Sequence, residues 1–112
     1  MKNLGVYYGA ILLGEKDLVE TNTKNKIELE YYGTEEHSIQ DAKDQTFYGI
    51  SIVKKEYEKD EIKFEKNHIG KISTSKRKIE EIIGTLKNYQ VTPVALEDVI
   101  TDLLKKPEYQ EI

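Results

Sequence analysis

The chain has 112 residues, eight tyrosines, no cysteine and no tryptophan, with 34% charged residues and a formal net charge of −4. That length suits one domain with its own apolar core, and the lack of cysteine excludes disulfide frameworks, thiolate metal sites and cysteine nucleophiles. Fourteen acids and ten bases before Asn67 carry the whole negative excess, since seven acids balance seven bases from there on; such a chain is poorly suited to nonspecific nucleic-acid binding, which needs clustered Lys and Arg.

The first apolar run, Leu4-Gly-Val-Tyr-Tyr-Gly-Ala-Ile-Leu-Leu13, is far shorter than the ~20 residues of a membrane helix. Gly14-Glu-Lys-Asp17 offers no small-residue cleavage site after it, so a secretion signal is a poor reading. A buried strand, or a hairpin pivoting at one of its glycines, fits better. The run is also sticky enough to pair two copies into a homodimer.

Lys26-Ile-Glu-Leu-Glu-Tyr-Tyr32 alternates, which predicts a half-buried strand with Ile27, Leu29 and Tyr31 inward and Glu28 and Glu30 in water. Residues 33–45 are polar, acidic and without period, and read as a surface loop or a short irregular helix. Thr46-Phe-Tyr-Gly-Ile-Ser-Ile-Val53 gathers the β-branched and aromatic residues of a more buried strand.

Six of the seven residues 54–60 are charged, and Glu61-Ile-Lys-Phe-Glu65 alternates again, so a long charged hairpin is expected. The alternation slips between Phe64 and Ile69, which predicts a further short strand over residues 68–72 after a kink or bulge near Gly70.

Ser73-Thr-Ser75 can cap a helix whose Ile79, Ile82, Ile83 and Leu86 recur at helical spacing. Thr92-Pro93 repeats the signal, with the hydroxyl at the cap and proline at the first helical position, ahead of the stripe Leu96, Val99, Ile100, Leu103 and Leu104. Pro107 lies just past that helix. Strands followed by helices predict an α+β fold, an antiparallel sheet of four to five strands with two C-terminal amphipathic helices packed on one face. Residues 1–107 would form this single domain and residues 108–112 a mobile tail.

Leu29-Glu-Tyr-Tyr32, Tyr48-Gly-Ile50, Ile69-Gly-Lys-Ile-Ser73 and above all Val91-Thr-Pro-Val-Ala-Leu-Glu-Asp-Val-Ile-Thr-Asp-Leu103 resemble a family of small uncharacterised proteins, a domain of unknown function, from Gram-positive anaerobes. The resemblance spans about residues 27–104. It implies a bacterial or phage origin and a cytoplasmic setting, and transfers no catalytic residue.

Lys71 and Lys76-Arg-Lys78 place four cations and no acid within eight residues. The opening of a helix prefers anions, because its N–H groups point outward and its dipole is positive there. With Ser73, Thr74 and Ser75 as donors, Lys71, Lys76, Arg77 and Lys78 form a candidate cradle for a phosphate or carboxylate; a solvated charge run is the plainer alternative. Gly70-Lys71 is not a nucleotide-binding loop, since the preceding glycine and the following Ser or Thr are missing, and Gly5 and Gly9 lack a dinucleotide fingerprint.

Glu35-Glu-His37 and His68 give no metal spacing, because adjacent residues rarely converge on one ion. No Gly-x-Ser-x-Gly turn supports a serine nucleophile. Glu97, Asp98 and Asp102 fit a solvated helix face better than a paired-carboxylate site. In each of the pairs Tyr7-Tyr8 and Tyr31-Tyr32 one ring should be buried and one exposed; Tyr7, Tyr8, Tyr31 and Tyr32 are therefore the candidate protein interface, tyrosine being suited to burying large area at low entropy cost. With no catalytic motif and no cofactor fingerprint, the expected function is a small non-enzymatic cytoplasmic interaction module, a regulator or a phage or host inhibitor of a larger bacterial protein. The alternative is an anion or nucleic-acid binder acting through Lys71 and the Lys76 to Lys78 turn.

Overall fold

A computed structural model describes the backbone of residues 3–13, 26–40 and 43–107, and the side chains of residues 26–37 and 44–107. Four strands, β1 (Asn3–Leu13), β2 (Lys26–Gln40), β3 (Lys43–Tyr57) and β4 (Ile62–Ser73), lie antiparallel in chain order. Helix α1 (Lys76–Asn88), a 3₁₀ turn (Pro93–Ala95) and helix α2 (Leu96–Leu104) follow. The architecture is the expected α+β one, an antiparallel sheet followed by two C-terminal helices.

Alternation sets the two faces. Ile27, Leu29 and Tyr31 of β2 and Ile50 and Ile52 of β3 are buried against Ile79, Ile82, Ile83 and Leu86 of α1 and Leu96, Ile100 and Leu103 of α2. Val99 and Leu104 pack partly buried at the margin of this core. Glu28 and Glu30 point away from it, as alternation requires, but are only half exposed, because both reach Lys55 of β3.

Residues 33–40 and 43–45 are strand where a loop or irregular helix was expected, with register running from Gly33↔Ile50 to Gln40↔Lys43. The helices explain how a strand can hide its period. A 15-residue strand extends about 50 Å and the 13-residue α1 only about 20 Å. Among the described side chains of this ribbon, residues 34–37 and 44–47, none is fully buried, so backbone pairing persists without an apolar face to impose a period.

The short strand expected over residues 68–72 continues β4 through a bulge. Tyr48 pairs with Ser73 while Ile50 pairs with Ile69, so Gly49 alone faces residues 70–72. Lys71 takes φ 51 to absorb the extra length. A β-carbon at Gly49 would collide with the Ile69 carbonyl oxygen and come within 2.8 Å of Gly70 Cα, so the bulge demands glycine on the facing strand.

Both helix starts were predicted to be capped by hydroxyls, and one is. Ser75 Oγ accepts from the Lys78 N–H at 3.3 Å, and Ser73 Oγ accepts from the Ser75 N–H at 2.9 Å. Thr92 makes no side-chain cap: Pro93 opens the 3₁₀ turn instead, and α2 begins three residues later. At the end of α1 the Val91 N–H reaches Leu86 O at 3.0 Å and the Gln90 N–H reaches Lys87 O at 3.1 Å, with Gln90 at φ 53. This is a Schellman ending, and it brings buried Val91 back onto buried Leu86. Tyr31 Oη then donates to Val91 O at 2.9 Å, and Asn67 Nδ2 donates to Pro93 O at 3.0 Å, fixing the interhelix segment to β2 and β4.

Candidate interaction surfaces

Among the described side chains of the strands, the most exposed large apolar group lies on the sheet face away from the helices. Phe64 is 63% exposed, Ile62 46% and Tyr57 37%. Tyr57 stands opposite Ile62 and Lys55 opposite Phe64, so the three rings and chains share one face at the β3–β4 hairpin. Beside them runs a polar network: Tyr57 Oη donates to Glu28 Oε1 at 3.2 Å, Lys55 Nζ lies 3.7 Å from Glu28 Oε1 and 3.3 Å from Glu30 Oε1, and Tyr32 Oη donates to Glu30 Oε1 at 3.1 Å. The hydrogen bond to Glu30, reinforced by the charges of Glu30 and Glu28, raises the Lys55 pKa, and burial with the Glu28 hydrogen bond raises that of Tyr57. At the adjoining turn Lys63 Nζ bonds Glu58 Oε1 at 3.0 Å, which lowers the Glu58 carboxyl below its ordinary value and raises the Lys63 ammonium.

The tyrosine pair of β2 divides as alternation requires. Tyr31 is fully buried under the helices, so it belongs to the core and leaves the candidate interface, while Tyr32 sits half-buried on the open face. Tyr7 and Tyr8 lie outside the described side chains; the backbone register steps there, Tyr7 pairing with Tyr32 and Gly9 with Tyr31. Ile62 and Phe64 had been read only as part of a charged hairpin. Their signal was the slip in alternation itself: residues 62 and 64 share one parity and Ile69 the other, so once Ile69 faces inward opposite Ile50, the first two must face outward.

The candidate anion cradle makes contacts within its own chain. Ser73 and Ser75 accept through Oγ from the backbone N–H groups of Ser75 and Lys78, Arg77 Nε lies 3.3 Å from Glu81, and Lys71 Nζ stands 5.4 Å over the Phe47 ring. Thr74, exposed, follows the end of β4, and Lys78 is half-buried. Lys76 projects outward, and the first turn of α1 holds no acid.

The histidines are separated. His37 Nδ1 shares a hydrogen bond with Thr46 Oγ1 at 3.0 Å, with Glu35 Oε2 3.8 Å from Nε2, and His68 Nδ1 shares one with Ser51 Oγ at 2.7 Å. Both pairs lie on exposed strand surface, with no enclosing pocket beside them among the cavities described. Among the described residues no cluster of three or more His, Asp or Glu is placed to hold a metal ion, and no helix is long and apolar enough to cross a membrane. Glu97, Asp98 and Asp102 are exposed on α2, Asp102 lying 4.0 Å from Lys105. A cleft of about 510 Å³ opens between the end of α1 and α2, lined by Thr85, Asn88, Tyr89, Val91, Val99, Asp102, Leu103 and Lys106. Its size is within the range of small-ligand sites.

No curated protein and no solved structure matches the chain. A protein-family model does, across residues 11–106, covering the end of β1, β2 to β4 with the bulge, and both helices, and on that match the chain belongs to a family of unknown function, DUF6514.

Proposed function

We propose that the protein is a small non-enzymatic interaction module of the cytoplasm, a regulator or a phage or host inhibitor that docks on a larger bacterial protein through the open face of its sheet. The observation that carries this reading is the contiguous exposure of Phe64, Ile62 and Tyr57 on a face the helices leave bare. Aromatic and aliphatic groups held on rigid strands lose little entropy on binding, and a charged border such as Glu28, Glu30 and Lys55 suits the rim of an interface. Capture from a bacterial lysate with the tagged protein and with an Ile62→Ser/Phe64→Ser variant tests it. A stoichiometric, nuclease-resistant protein should be held by the first and lost by the second; equal capture by both would place docking elsewhere.

The second reading, an anion or nucleic-acid contact at Lys71 and Lys76 to Lys78, is favoured by the acid-free first turn of α1. Material captured in that way would leave on nuclease treatment or at raised salt, since binding by phosphate neutralisation falls steeply with ionic strength.

A further inference from the structure

We propose that the outer edge of β4 is a self-complementary pairing site for a second copy of this chain, joining two sheets through residues 62–66 in one register. Among the described residues, β4 has β3 on one side and no strand on the other. Residues 62–66 are exposed at every position, so their side chains are accessible. The 3₁₀ turn runs beside residues 65–67, where Pro93 and Val94 line a shallow cleft with Glu65, Lys66 and Asn67, and Asn67 Nδ2 bonds Pro93 O.

The occupant is argued from charge. Two copies of one strand pair antiparallel about a two-fold axis, and registers that keep both helix layers on one side centre on a single residue. Centred on Phe64, the axis sets Lys63 opposite Glu65 of the second copy and Glu65 opposite its Lys63, stacks Phe64 on Phe64 on the open face, and lays Ile62 along the stem of Lys66. Centred on Lys63, Glu65 or Lys66, it sets a like charge directly against itself, which destabilises a sheet pair. Centred on Ile62, it runs into the turn that precedes β4. Like charges and the preceding turn thus disfavour the other registers centred within residues 62–66 and leave one.

Lys63 already bonds Glu58 but stays 61% exposed, so its ammonium can reach a second carboxylate. The 3₁₀ turns of the two copies, beside residue 66 in each, would sit four residues apart along the strand, about 13 Å, and do not meet. A ladder of five residues is short, so the dimer is weak and concentration-dependent.

The charge pair is varied rather than Phe64, so that dimerisation and partner docking read separately. Sedimentation velocity over a concentration series should show reversible dimerisation of the full chain, and Lys63→Glu or Glu65→Lys alone should raise the dissociation constant at least tenfold, each placing two like-charged pairs across the axis. The Lys63→Glu/Glu65→Lys double variant should dimerise again, and the two single variants mixed should form a heterodimer, because their charges are then complementary. A monomer at every concentration, which would leave the edge to a strand of another protein, overturns the proposal. So does a dimer indifferent to these substitutions, which would lie at another edge or face. Circular dichroism of each variant controls for folding.

Discussion

Tyr31 links the sheet to the helices through one phenol. Its ring fills the core and its hydroxyl donates to Val91 O, a carbonyl in the segment between α1 and the 3₁₀ turn. Phenylalanine would keep the ring but leave that carbonyl unpaired, costing about 1–2 kcal/mol at neutral pH. Burial also raises the phenol pKa above 10.0, so the folded chain resists an ionisation that the unfolded chain undergoes from about that pH upward. A group with a raised folded pKa contributes its full stability below the unfolded value and loses it as pH rises past that value. Urea unfolding of wild type and Tyr31→Phe should therefore show wild type the more stable at neutral pH and the gap narrowing above pH 10.0. A gap that stays constant with pH would show that Tyr31 is not held in this environment.

At the scale of elements, α1 opens against its own dipole. Ser75 supplies the cap, but Lys76, Arg77 and Lys78 occupy the first turn where acids are favoured. Lys76→Glu should stabilise the protein by about 0.3–1 kcal/mol at low ionic strength. Thermal melts at low and high salt check this, with the gain expected to shrink as salt screens it; no gain at low salt would indicate that the cation is compensated in place. This helix was legible in advance because four isoleucines and leucines at helical spacing need a partner face, and the strand over residues 26–32 because Ile27, Leu29 and Tyr31 alternate against that face. The hairpin through residues 33–45 was not, since none of its described side chains at 34–37 and 44–45 is fully buried and no apolar face imposes a period on them. Of the candidate surfaces, the basic turn could be read as a charge pattern, but whether Ser73 and Ser75 serve a ligand or the backbone depends on the bulge that positions them. Phe64 and Ile62 were visible as an alternating pair, and only the register with β3 decides which face they take.

At the scale of the molecule, the sheet has two faces with different energetics. Ile52 is fully buried beneath the helices, and Phe64, on the neighbouring strand, points the opposite way and is 63% exposed. Truncating Ile52 to alanine removes apolar contacts and leaves a cavity, so a loss of about 2–5 kcal/mol is expected. Phe64→Ser removes a larger side chain yet should change stability by no more than about 0.5 kcal/mol, as surface substitutions do. Chemical denaturation of both variants measures the contrast directly. An aromatic ring that the fold does not need for stability, placed beside Ile62 and Tyr57 on a bare face, is surface left available for binding. A large loss of stability in Phe64→Ser would instead mean that the open face is covered within the molecule, and would count against both the docking surface and the stacking of Phe64 across a two-fold axis.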